Sequence, residues 1–286
     1  MTKLLFWNFL EGGLKPYNKD FNYRFNDTKR LNAAKNIVSK YKPDIFVINE
    51  ALFCEKFYSQ YQDYQKIFNF KYSFNKLYDK SWGNSILSNI PISDSRSELI
   101  HSSGGQNRGY LEAKLKIKQK NKKDIYFNVC TYHPHPARRP FMKAKDFDSF
   151  LSGQVKIPSI LVGDLNAISP NDVFDADKIK KGFLKFKRED LVDEMVNKII
   201  ESGKEIFNVL DLLKWKDVFE IFPNKKSYTI PTDLIKIDNN SQMRIDHCFI
   251  NNNPDIIVND VKIIKNEDTN IASDHYPILL DFEIRG

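Results

Sequence analysis

Three cysteines in 286 residues, Cys54, Cys130 and Cys248, are too few for a disulfide framework. Each sits among apolar neighbours, so buried free thiols are expected. No apolar run approaches the roughly 20 residues that a transmembrane helix needs, so no membrane partner is expected. The opening MTKLLFWNFLEGG has too short an apolar segment for a signal peptide and lacks a small-residue cleavage site. A cytoplasmic monomer is therefore expected. Internal repeats, low-complexity tracts and Pro/Gly-rich linkers are also missing, which leaves no domain boundary and predicts one domain over residues 1–286.

What is present is an ordinary globular composition, 41% hydrophobic, with a net charge of +7. That charge suits a polyanionic partner, either nucleic acid or a phosphorylated substrate. Lysine is spread throughout, however, and the run KIKQKNKK (Lys116–Lys123) reads as a strand end entering a turn. Strands are predicted at 3–9, 45–48, 84–88, 109–118, 124–133, 158–164, 243–250, 256–264 and 277–283. Leu31, Ala34, Val38 and Tyr41 recur at helical spacing behind a capping Asp27, which predicts a helix to Tyr41. Further helices are expected at 139–152, 188–201 and 204–213, and the mixture argues for a layered α/β domain.

The stretch ILVGDLNAIS (Ile160–Ser169) shows the pattern that matters. An apolar strand runs into Asp164 and Asn166, which alternation directs to one face while Leu165 turns inward. Other predicted strands end alike, in Trp7–Asn8, Asn49–Glu50, Tyr132–His133 and Asp246–His247, and Ser273–Asp274–His275 immediately precedes the last strand. A turn explains one such end; six require a shared cause, since ligands of layered α/β proteins gather at strand ends.

Other chemistries fit these residues less well. Ser273–Asp274–His275 cannot form a triad, because consecutive side chains diverge. His133 and His135 could face one zinc ion, yet no cysteine or third histidine falls at a structural spacing. SSGGQNRG (Ser102–Gly109) is glycine-rich but leads into a strand, so it is not a phosphate-binding P-loop.

Taken in order, WN (Trp7–Asn8), VINEA with Glu50, GNSILSNIPI (Gly83–Ile92), RGYLEAKL (Arg108–Leu115), VCTYHPHP (Val129–Pro136), GDLN (Gly163–Asn166), MRIDHCFI (Met243–Ile250) and SDHYPI (Ser273–Ile278) resemble the endonuclease/exonuclease/phosphatase superfamily over nearly the whole chain. The resemblance implies an α/β fold, a four-layer α/β/β/α sandwich with two mixed β-sheets packed face to face. It implies a divalent-metal-dependent phosphodiester hydrolase using Mg²⁺ or Mn²⁺, most readily a nuclease acting on DNA or RNA. The alternative is a phosphatase or phosphodiesterase acting on a small-molecule or lipid-headgroup phosphate ester. By the same match, Glu50 binds the metal with Asn8 and Asp274 nearby. His133, Asn166 and Arg108 contact the phosphate, Asp164 positions the attacking water, and Asp246 orients His275. Arg138 and Arg139 follow the histidine strand and are added as phosphate contacts. The segment 167–226 is the least family-like part and is read as a helical insertion, with Leu191, Met195 and Ile199 forming an apolar stripe assigned to core packing.

Overall fold

The computed structural model describes residues 1–10, 12, 29–53, 63–78, 82–101, 107–119, 123–152, 156–184, 189–234 and 241–285. Along the chain come β1 (Thr2–Asn8), α1 (Lys29–Tyr41), β2 (Ile45–Leu52), α2 (Tyr64–Phe68), β3 (Tyr72–Leu77), β4 (Trp82–Ser88), β5 (Ile92–Ile100) and β6 (Arg108–Ile117). They are followed by β7 (Ile125–Tyr132), α3 (Pro140–Leu151), β8 (Ser159–Asp164), α4 (Ala176–Phe183), α5 (Glu189–Leu212), β9 (Trp215–Asp217) and α6 (Val218–Ile221). The last elements are β10 (Asp246–Asn251), β11 (Ile256–Ile263), α7 (Glu267–Ala272) and β12 (Ile278–Ile284).

Two six-stranded sheets result, ordered β11-β12-β1-β2-β4-β3 and β5-β6-β7-β8-β10-β9. Each is mixed: β1 and β2 run parallel, as do β7 and β8, and their other neighbours are antiparallel. A parallel pair needs a crossover, and α1 and α3 supply the two.

The unbroken apolar runs of β1 and β2 follow from burial on both faces. Leu4, Phe6, Ile45 and Val47 join Val129, Ile160 and Val162 between the sheets. Leu5, Trp7, Phe46 and Ile48 face outward onto Leu31, Ala34 and Ile37 of α1. On the far side, Cys130 and Leu161 pack against Phe147 and Phe150 of α3 and Ile206 and Leu210 of α5. The sandwich therefore has four layers, helix on sheet on sheet on helix, as the sequence led us to expect. Cys130 and Cys248 are buried free thiols, whereas Cys54 and the capping Asp27 lie outside the described residues. No helix among those residues is long and apolar enough to cross a membrane.

Several elements differ from the expected ones. Helices predicted at 188–201 and 204–213 are one helix, α5, running straight through Ser202–Gly203. The glycine there serves close approach: a Cβ at Gly203 would collide with the carbonyl oxygen of Ile168. Strands β3, β5 and β9 escaped detection because they lie at or near sheet edges; ISDSRSELI of β5 has little apolar alternation to read. Because α5 abuts the turn that follows β8, Gly203→Ala should cost about 1–3 kcal/mol of stability, the usual penalty for overpacking. Urea unfolding checks this, and an unchanged midpoint would show that the Ile168 carbonyl yields freely.

Candidate active site

The carboxyl ends of both parallel pairs, β1 with β2 and β7 with β8, carry the polar residues singled out in the sequence. Register does the rest. Asn8 lies opposite Asn49, one residue from Glu50. Asp246 starts β10 directly opposite Asp164, where β8 ends. Ile278 pairs with Phe6, which brings the preceding Asp274 and His275 beside the end of β1. Two site residues adopt left-handed backbone, Glu50 (φ 56°) and Asn166 (φ 45°), as does Leu10 beside Asn8 (φ 32°). Asparagine tolerates that region, whereas at Glu50 it is strained, and the register of β2 against β4 shifts between Ile48 and Ala51 around it.

A cavity of about 720 Å³ opens over these strand ends. Asn8, Glu50, Arg108, His133, Asp164, Asn166, Asp274 and His275 all line it. Asp246 lies behind them, wholly buried, with Oδ2 accepting from His275 Nδ1 at 2.7 Å. Two expected phosphate contacts stand apart. Arg138 grips Asp146 through two hydrogen bonds of 2.7 Å, and Asp146 also accepts from Tyr132, so this guanidinium braces α3 against β7. Arg139 is the residue preceding Pro140 at the start of α3 and is not in the cavity wall. His135 is at the rim, where its Nδ1 accepts from the amide of Ala137.

Charge is sharply divided within the cavity. Asp164 accepts from Asn8 Nδ2 at 2.9 Å and from the Asn166 amide at 2.8 Å. His133 Nε2 sits 3.4 Å from Asp164 and 3.8 Å from Glu50. Burial, reinforced by the positive charge of Arg108 and His275, holds His133 well below the usual imidazole range, so it is neutral. His275 goes the other way. Burial disfavours its charged form, but Asp246, Asp274 and Asp164 outweigh that and hold it well above the ordinary value. Burial raises Asp164 as well. Glu50 is pushed up to about 7 by burial and by the negative charge of Asp274 and Asp164, partly offset by Arg108. The Arg108 guanidinium lies 5.8 Å from the centre of the Trp82 ring, and its buried Nε has no hydrogen-bond partner among the described residues.

A hard divalent cation fits one side of this cavity. Glu50, Asp274 and the Asn8 amide offer oxygen donors, and Glu50, raised by burial and then by the charge of Asp274, is a carboxylate whose ionised form a cation would favour. Among the described residues, Asp164, Asp246 and His275 form the one cluster of three close potential ligands. Within it, His275 and Asp246 are already bonded to each other, which makes the Glu50 side the better cation site. Neither His133 nor His135 belongs to that cluster, and the zinc reading gains nothing.

Sequence reasoning assigned no holding role to the residues that keep this arrangement together. Asn49, fully buried, donates to Thr131 Oγ1 at 2.9 Å and accepts from the Asp164 amide at 3.0 Å, bonding one sheet to the other. Trp7 Nε1 donates to the His275 carbonyl, and Ser273 Oγ donates to that of Asn8. The arginine of the MRID motif, Arg244, does not reach the cavity at all; it pairs with Asp172 and Asp217 and touches His247. Lys143 of α3 is wholly buried and donates to the Asn166 carbonyl at 3.0 Å. Its only advance signal was a lysine on the apolar face of a predicted helix.

Burial lowers Lys143 to about 7, against the attraction of Asp164 and aided by Lys198 and Arg138. Its folded pKa is thus below the usual 10.5, so its contribution to stability is present above 10.5 and is lost as the pH falls through about 7. The stability of the native protein relative to Lys143→Met should therefore decline between pH 10 and about 7 and level off below. Urea midpoints across that range check it; a constant difference would mean that Lys143 is solvated.

The comparisons with known proteins agree with this geometry. The family model "Endonuclease/Exonuclease/phosphatase family" matches residues 5–275. No curated protein matches the chain significantly. Among solved structures, an endonuclease/exonuclease/phosphatase from Bacteroides vulgatus is similar at 15% identity and a TM-score of 0.67, covering 99% of both chains. An AP endonuclease from Archaeoglobus fulgidus superposes with a TM-score of 0.67 at 16% identity, over 99% of this chain and 100% of its own. D. rerio TDP2 in complex with a single-strand DNA product gives a TM-score of 0.60 at 17% identity, over 99% and 98%. The shared two-sheet fold and the match over nearly the full length lead to one conclusion: this chain belongs to the endonuclease/exonuclease/phosphatase family, whose members are hydrolases of phosphoester bonds.

Proposed function

We propose that the cavity hydrolyses phosphodiesters of nucleic acid with the help of Mg²⁺ or Mn²⁺. The observation that carries this reading is the gathering in one cavity of oxygen donors, Glu50, Asp274 and Asn8, beside Arg108, His133, Asn166 and a charged His275. Glu50, Asp274 and the Asn8 amide would hold a divalent cation, whose charge would offset that of a phosphate oxygen. Arg108, whose guanidinium lies over Trp82, and Asn166 line the cavity and hold the other phosphate oxygens. Asp164, whose pKa is raised, takes the proton of the attacking water as the new P–O bond forms. The old P–O bond breaks toward His275, which gives its proton to the leaving oxygen, while Asp246 fixes the ring through Nδ1. Neutral His133 donates a hydrogen bond without competing for the proton.

Support for nucleic acid comes from the net charge of +7 and from relatives of this fold, an AP endonuclease and a protein holding single-strand DNA. We read the chain as one domain whose residues 167–226 form a helical insertion, and as a cytoplasmic monomer, consistent with its free buried thiols. The test is a panel of single- and double-stranded DNA, RNA, abasic DNA and small phosphate esters, each with Mg²⁺, Mn²⁺ or chelator. Oligonucleotide cleavage, with affinity that falls steeply between low and physiological salt as counterions are released, is expected. Cleavage confined to small esters, or affinity indifferent to salt, would transfer the assignment to a small-molecule phosphoesterase.

A further inference from the structure

A buried ammonium lies behind Asn166 with no acid to pair with. Helix α3 turns Lys143 onto its buried face together with Ala144, Phe147 and Phe150, and Nζ donates to one acceptor, the Asn166 carbonyl. Among the described residues, no carboxylate forms an ion pair with it, and Asp146, the buried acid of the same helix, is taken by Arg138 and Tyr132. A methionine of similar length would spare the fold the cost of stripping water from a charge. The surroundings of Lys143 are those of the cavity. Asp164 at the end of β8 attracts it, whereas Lys198 of α5 and Arg138 repel it. Burial and Arg108 depress His133 and His135, and the charge of Lys143 adds to both effects. Of these groups all but Arg138 line the cavity, so the ammonium acts on it from behind its wall.

We propose that Lys143 is a buried counter-charge for the anion that the cavity binds, a positioning residue that acts through Asn166. The inference rests on the phosphate-binding part of the reading above. Asn166 is pinned on its other sides, its amide donating to Asp164 Oδ1 at 2.8 Å and its Nδ2 to the Pro134 carbonyl at 3.1 Å, on a left-handed backbone. Lys143 holds the remaining polar group of that backbone, so its charge faces an anion on Asn166 across a single residue. The missing acid is then supplied by the substrate. In the empty protein, burial lowers Lys143 to about 7, so near neutrality part of its charge is lost. An anion in the cavity favours the charged form and draws a proton onto Nζ as it binds.

The probe is inorganic sulfate, which does not titrate near neutrality, added to the full chain in chelator. Titration calorimetry slightly above neutral pH, in buffers of different ionisation enthalpy, reads both the affinity and the protons exchanged. The native protein should bind sulfate roughly tenfold more tightly than Lys143→Met, the size of one charge acting through a protein of effective dielectric about 20. It should also take up more proton on binding, since whatever Glu50 takes up is common to both proteins. Lys143→Gln, which keeps a donor for the Asn166 carbonyl without the charge, should behave like Lys143→Met. A lysine that only braced the turn would leave the proton count unchanged and would be replaced by glutamine without loss. Either of those results, equal affinity in native protein and Lys143→Met, or a native chain that binds no sulfate would overturn the counter-charge. The nuclease reading fails separately: if the sulfate results hold but no oligonucleotide is cleaved, Lys143 keeps its role toward another phosphate ester.

Discussion

Asp246→Asn is expected to lower turnover by roughly 10²–10⁴-fold, the usual contribution of a positioned acid–base group, without unfolding the protein. The reason is a single contact: Asp246 Oδ2 lies 2.7 Å from His275 Nδ1 in a buried setting. An amide presents either a neutral oxygen or a donor there, so both the orientation and the charge of the imidazole are lost. A His275→Ala variant should lose as much, and the double variant should be little worse than the worse single, because the two act as one unit. The pH profile gives a second reading. Activity that needs protonated His275 declines as pH rises through its raised pKa, and of the carboxylates that raise it Asp246 is the strongest. In Asp246→Asn the alkaline limb should accordingly move to lower pH. Losses that simply multiply, or a limb that stays in place, would separate the two residues.

Loss of the carboxylate at Glu50 should have an effect of similar size. Chelation should abolish turnover, and Glu50→Gln should weaken Mg²⁺ and Mn²⁺ binding by more than the ~10–100-fold typical of residues that only support a ligand. In the native protein a cation must displace the proton that Glu50 retains up to about pH 7. Metal affinity should therefore rise with pH to about 7 and then flatten, and the glutamine variant should lack this dependence. The metal-free protein should show the complementary trend. A carboxyl raised from 4.5 to about 7 adds stability that is complete below 4.5 and lost as pH rises through 7. Calorimetric titration of Mg²⁺ from pH 5.5 to 8.5, with thermal unfolding of the chelated protein, tests both. Undiminished turnover in chelator, or zinc restoring more activity than Mg²⁺ or Mn²⁺, would refute this assignment.

The candidate site was legible in the sequence because it sits where apolar strands stop, and a polar residue at such a point stands out against its run. Asn8, Glu50, His133, Asp164 and Asn166 all have that signature, and the structure places them in one cavity. Their partners gave less away. Asn49 stands at the same strand end as Glu50, and Lys143 showed only as a lysine on the apolar face of a predicted helix; burial and partners across the sandwich define their roles, and those are tertiary facts. Arg138 shows the converse error, since an arginine after a histidine strand looks available until Asp146, eight residues on, arrives beside it. Strand β5 was invisible for want of apolar alternation, and α5 was expected as two helices on either side of Ser202–Gly203, where the glycine lies against the Ile168 carbonyl.

Neither sheet owns a working reaction centre. Asn8, Glu50, Asp274 and His275 belong to the sheet built on β1 and β2, whereas Arg108, His133, Asp164 and Asp246 belong to the one built on β7 and β8. In the proposed mechanism, catalysis thus depends on how two separately hydrogen-bonded bodies are clamped, and Asn49 is the bolt between them. Chemically silent positions in the shared core, such as Val129 and Ile160, consequently govern the reaction, for a small slip there misaligns every acid, base and phosphate contact at once. Natural selection acting on turnover in this molecule acts, through that clamp, on the fit of one greasy face against another.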